Sequence, residues 1–185
     1  MKVRVLAMEV VFYKEDDGRL CAWRAAPPKR RRFQGTTTAS GRDLPHDLAQ
    51  FVVEATLGVE HGFWGLLAKG ATFKSVPGRR RTQPGQQLVR AHREELDGVE
   101  HLVNAHLTAW RTGAVTPAAP ALESMLARWR ALRGGEELRL VWRTKPRVAA
   151  NGPYPIGIVF GSPLIAARSL AISTMSVKSG LRLDS

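Results

Sequence analysis

The sequence predicts an α+β fold, with an N-terminal β-hairpin and one later strand packed on three or four helices. Three observations carry that expectation. Apolar residues alternate on both sides of an Asp-Gly turn near the N-terminus, apolar residues recur at helical spacing through the middle, and alternation returns at 137–143. At 185 residues the chain is long enough for one ordinary domain with a core. Residues 1–143 are read as that single α+β domain, and 144–185 as a basic, poorly ordered tail.

The hairpin is expected from 2–13 and 19–24. Val3, Val5 and Val11 mark the first strand, and Asp17-Gly18 supplies the positive backbone angles of a tight turn. On the return strand Leu20, Ala22 and Arg24 share one face, and Cys21 and Trp23 the other. Residues 27–42 read as irregular, with two prolines and the basic run Lys29-Arg30-Arg31-Arg32. A helix follows, with Asp43 as cap, Pro45 in the first turn and Gly58 as its stop. Its apolar stripe is Leu44, Leu48, Phe51, Val52 and Ala55. A short second helix is expected at 61–69, closed by Gly70.

Residues 76–85, including Arg79-Arg80-Arg81, read as a loop. The longest helix is then expected from about 86 to 111, with Val89, Leu96, Val103 and Trp110 at seven-residue intervals and Val99 on the same seam. Another helix, about 120–132, uses Leu122, Met125, Leu126, Trp129 and Leu132. The last strand places Leu138, Leu140 and Trp142 on one side. Beyond Thr144 acidic residues vanish until Asp184 and helical periodicity stops, and a short strand is expected at 156–160. No internal repeat is present.

The run Leu44-Pro45-His46-Asp47-Leu48-Ala49-Gln50-Phe51-Val52-Val53-Glu54, with Leu57-Gly58 and Gly62-Phe63-Trp64-Gly65, resembles a motif of uncharacterised bacterial proteins from high-GC genomes. The resemblance covers 42–73, with looser similarity into the long helix. It implies a shared helical core and no particular chemistry. This chain departs from it at Gln50, where the similar proteins carry a second histidine.

Positions 46, 50 and 54 stack along one side of a helix. His46 and Glu54 are therefore candidate metal ligands, which His92 and His106 of the long helix can complete across a helix–helix contact. The competing reading has His46 and Asp47 capping the helix and Glu54 in solvent. Catalytic zinc wants three protein ligands, and isolated His and Glu residues far outnumber true sites, so this second reading carries more weight.

No phosphate-binding glycine loop, His-Glu-x-x-His run or nucleophile elbow is present. Cys21 reads as a packed thiol. Glu94, Glu95 and Asp97 read as a solvated helix face, with Arg90 four residues before Glu94. On these grounds no catalytic residue, metal or cofactor is assigned, and the balance is against an enzyme.

The net charge of +12 is the strongest compositional signal. Arginine outnumbers lysine, as a GC-rich genome dictates, but codon bias does not explain an excess of basic over acidic residues. The helical segments 44–72 and 86–113 are slightly acidic, whereas 1–43, 73–85 and 144–185 carry most of the excess. The leading expectation is thus a non-enzymatic nucleic-acid-associated or accessory protein. Its phosphate contacts would be Lys29, Arg30, Arg31, Arg32, Arg79, Arg80 and Arg81. One alternative is a metal-dependent enzyme using His46 and Glu54. Another is a protein-interaction module whose partner pairs with the helix 86–111.

Lys2, Arg4 and Glu9 leave no signal-peptide core in the first dozen residues. The most apolar later stretch, 156–172, is broken by Gly161, Pro163 and Arg168, so no membrane span is expected. With a single cysteine these features suit a cytoplasmic location.

Overall fold

The structure is a computed structural model that describes residues 7–14, 20–26, 33–38, 43–74, 76 and 82–143. The N-terminal hairpin forms, while Val3, Val5 and the Asp17-Gly18 turn lie outside the described residues. Strand β1 (Ala7–Lys14) pairs antiparallel with β2 (Leu20–Ala26), with Phe12 opposite Trp23. The segment read as irregular contains a further strand, β3 (Phe33–Thr38), on the outer edge of β2. Its Thr36-Thr37-Thr38 run explains the correction, since β-branched threonines favour extended backbone even beside a glycine.

Helix α1 (His46–Leu57) starts two residues later than a cap at Asp43 would set it. Pro45 occupies its cap position, no side chain caps it, and Gly58 closes it at φ 68°. The short helix is α2 (Phe63–Lys69). The expected long helix is two helices, α3 (Gln83–Ala91) and α4 (Arg93–Arg111), separated at His92. Thr82 caps α3 by accepting from the Gly85 amide, and Thr72 N donates to the Gly85 carbonyl at 3.2 Å, which moors the start of α3 to the segment after α2. Near the far end of α4, Val103 and Leu107 are buried in the core. The two helices meet in a bend at His92, whose φ of −118° leaves the helical region. Helix α5 (Ala119–Ala131) leads to β4 (Glu137–Arg143), which pairs antiparallel with the free edge of β1.

The sheet order is therefore β3-β2-β1-β4. Met8, Val10 and Phe12 of β1, Cys21 and Trp23 of β2, and Leu138, Leu140 and Trp142 of β4 all face the helices and are buried. The opposite face carries Glu9, Arg24, Glu137 and Arg139. They pair with one another, Arg139 reaching Glu9 of β1 at 3.2 Å and Glu137 of its own strand at 2.6 Å, and Arg24 of β2 reaching Glu137.

Phe12, Trp23, Phe51, Phe63, Trp64 and Trp142 form one edge-to-face aromatic cluster between sheet and helices. Such rings combine a large buried area with favourable quadrupole contacts. Of the five tryptophans, Trp23, Trp64, Trp129 and Trp142 are buried. Trp110 stays partly exposed and donates to Glu123 at 2.6 Å.

Among the described residues, no helix is long and apolar enough to cross a membrane. The arginine runs Lys29–Arg32 and Arg79–Arg81 and the segment 144–185 lie outside the described residues.

Candidate metal centre

Helix α1 owes its placement to an almost continuous set of buried residues, Leu48 to Glu54. Seven consecutive buried positions enclose the helix on nearly every side, so a polar residue among them must find its partners inside. Glu54 does. Its carboxylate accepts from the Phe63 amide at 2.9 Å, the Trp64 amide at 3.1 Å and Gln50 Nε2 at 2.9 Å. The two amides are free donors of the first turn of α2. Gln50 Nε2 also donates to Glu100 of α4 at 2.9 Å. Burial pushes the Glu54 carboxyl up to about 7, although the three donors favour its ionised form.

This arrangement corrects the proposed ligand pair of His46 and Glu54. Glu54 is 0% exposed and spends its oxygens on α2, whereas His46 is exposed at the opposite end of α1. His46 lies 3.5 Å from Asp47, whose hydrogen bond raises the imidazole above its ordinary value. Gln50 stands between the two. The reading of Glu54 as solvated is corrected as well. His106 is partly buried on α4 and joins no ligand cluster among the described residues.

The structure gathers a different set. His61, in the connection between α1 and α2, meets His92 at the α3–α4 bend and Glu95 in the first turn of α4. One ligand atom from each of the three lies within 4.8 Å of the others. His92 Nδ1 is 2.9 Å from one Glu95 carboxylate oxygen, and His61 Nδ1 contacts the other. The two imidazoles pack with centroids 3.9 Å apart at 33°. Their hydrogen bonds, that of His92 first, hold the Glu95 carboxyl below its ordinary range.

Both histidines are half-buried, and Glu95 is 55% exposed at its side chain, so the cluster opens to solvent on one side. Two imidazole nitrogens and one carboxylate form the donor set of catalytic zinc centres and of facial-triad iron sites, which leave coordination positions free for water or substrate.

Sequence reasoning singled out His92 as a ligand but paired it with the wrong partners. It proposed no role for His61 as a ligand, and it read Glu95 only as part of a solvated face, an exposure the structure bears out. The i, i+3 spacing of His92 and Glu95 at a helix start was a readable signal. The arrival of His61, 31 positions earlier in the chain, was not. The expected Arg90–Glu94 pair is not among the described ion pairs, because the bend at His92 interrupts the helix between them; Arg93 reaches Asp97 at 3.4 Å instead.

The balance against an enzyme is also corrected. The structure brings His61, His92 and Glu95 into a cluster geometrically suited to metal coordination, which no motif announced. No protein-family model, curated protein or solved structure matches the chain.

Proposed function

We propose that the protein is a metal-dependent enzyme, in which His61, His92 and Glu95 hold a divalent ion of the zinc class. The convergence of three ligand atoms within 4.8 Å carries the reading. Three protein ligands leave at least one position for water. A zinc-class ion lowers the pKa of such a water to about 7, which makes it a nucleophile at neutral pH. The open side of the cluster beside exposed Glu95 lets substrate reach that position. The net charge of +12 favours anionic substrates over cationic ones, so phosphate esters are the first class to try.

Titration of the metal-free chain with zinc, followed by metal analysis, tests the reading. One equivalent per chain is expected, with binding lost in His61→Ala, His92→Ala and Glu95→Ala. Zinc-dependent hydrolysis of bis(p-nitrophenyl) phosphate, abolished in the same variants, tests the catalytic part. A chain that takes up no zinc, or whose triple variant binds it as well as the parent does, overturns the proposal.

A further inference from the structure

Two of the three metal ligands belong to the α3–α4 bend and are three residues apart, so the local backbone brings them together. His61 has no such help. It sits in the connection 58–62, and what fixes that connection decides whether the third ligand arrives.

One residue holds both ends of it. The Glu54 carbonyl accepts from the Gly58 amide, which closes α1, and from the Val59 amide at 2.9 Å. The Glu54 carboxylate accepts from the Phe63 and Trp64 amides, which open α2. His61 lies on the span between those two anchor points. The fit against the carboxylate is close. A Cβ built on Gly62 would lie 2.4 Å from Glu54 Cδ, so the residue after His61 is pressed against the buried acid. Gln50, shared between Glu54 and Glu100, ties the same carboxylate to α4, the helix that carries Glu95.

We infer that Glu54 is the positioning residue of the metal centre, holding the 58–62 connection at both ends so that His61 meets His92 and Glu95. This rests on the metal-dependent reading above. Glu54 contacts neither the ion nor the substrate, and its role is exerted through the backbone on either side of His61. Residues that orient metal ligands from behind typically change affinity ten- to a hundredfold when lost.

The test compares Glu54→Ala, Glu54→Gln and Leu122→Ala, the last a buried cavity variant on α5. Two readouts are taken on the full chain: cobalt(II) affinity from its visible absorption, and the imidazole resonances of His61 and His92 without metal. Glu54→Ala is expected to weaken cobalt binding at least tenfold and to displace the His61 resonances. Glu54→Gln, which keeps one acceptor oxygen, should fall between it and the parent, and Leu122→Ala should leave both readouts unchanged.

Parental cobalt affinity with undisplaced His61 resonances in Glu54→Ala overturns the inference, as does an equal loss in Leu122→Ala. Where Glu54→Ala does not fold, Glu54→Gln decides on the same readouts: a change in both supports the role, and no change overturns it. A parent chain that binds no cobalt overturns the metal reading instead, and the imidazole resonances then decide the positioning role by themselves.

Discussion

Helices α1 and α4 show two ways of joining one hydrophobic core. In the 12 residues of α1, everything from Leu48 to Glu54 is buried, and the aromatic cluster closes over it. In the 19 residues of α4, only Val103 and Leu107 are buried; Leu96, Val99 and Trp110 pack partly against the core, Glu100, His106 and Ala109 are partly covered, and the rest faces solvent. The longer helix has the clearer sequence periodicity and the smaller share of the core. Its seam packs on its own chain. The candidate metal centre joins the two regimes, since His61 comes from the connection that leaves α1 while His92 and Glu95 come from the exposed helical arm.

The contrast breaks if the two regions respond alike to truncation. Trp64→Ala beside α1 is expected to cost about 3–5 kcal/mol, because it removes the ring at the centre of the aromatic cluster. Leu102→Ala on α4, a side chain already exposed, should fall within about 0.5 kcal/mol of the parent. Chemical denaturation of both variants measures the difference, and equal losses would refute the division.

The buried acid sharpens the contrast through pH. With its carboxyl raised from 4.5 to about 7, Glu54 binds a proton in the folded chain that it has lost in the unfolded one. Its contribution is fully present below pH 4.5, falls as pH rises, and is gone above 7; the span corresponds to roughly 3 kcal/mol. The groups facing it are Gln50, the Phe63 and Trp64 amides and Glu100. Denaturation midpoints from pH 4.5 to 8 should decline in the parent more steeply than in Glu54→Gln. Parallel profiles would show that Glu54 titrates normally.

A metal should fasten the two regions together. At a hundred times its dissociation constant, zinc is expected to stabilise the parent by about 2.7 kcal/mol. The gain should disappear in His61→Ala, which disconnects the α1 side, and in His92→Ala, which disconnects the arm; thermal melts with and without zinc read both. The smallest effect belongs to the outer face of α4. Arg93→Ala removes an exposed ion pair with Asp97 and should change stability by less than about 0.5 kcal/mol.

Much of the fold was legible because periodicity reports burial. The strand at 137–143 alternates residue by residue in the structure, with Leu138, Leu140 and Trp142 inward. Cys21 and Trp23 share one face of β2, as their alternation required, and packing turns that face inward. The strand at 33–38 escaped notice because glycine and threonines in a segment flanked by prolines and arginines resemble a loop. The bend at His92 escaped because neither proline nor glycine stands there, and the heptad-like spacing runs across it without a break.

The candidate site was legible only in fragments. His46 and Glu54 share a helix, and helical spacing made them look like partners. That spacing says nothing about which other elements cover each end, and the fold buries one against α2 while exposing the other. The arginine runs on which the polyanion reading rested lie outside the described residues, so that reading keeps its compositional basis alone.

The sequence by itself determined the α+β class, the hairpin, the central helices and the apolar faces that meet in the core. These follow from contacts between residues a few positions apart, whose geometry the backbone repeats. Only the tertiary structure decided that Glu54 would be an internal anchor and that His61 would reach His92 and Glu95. Both depend on segments brought together by packing, and no local period encodes the distance between them.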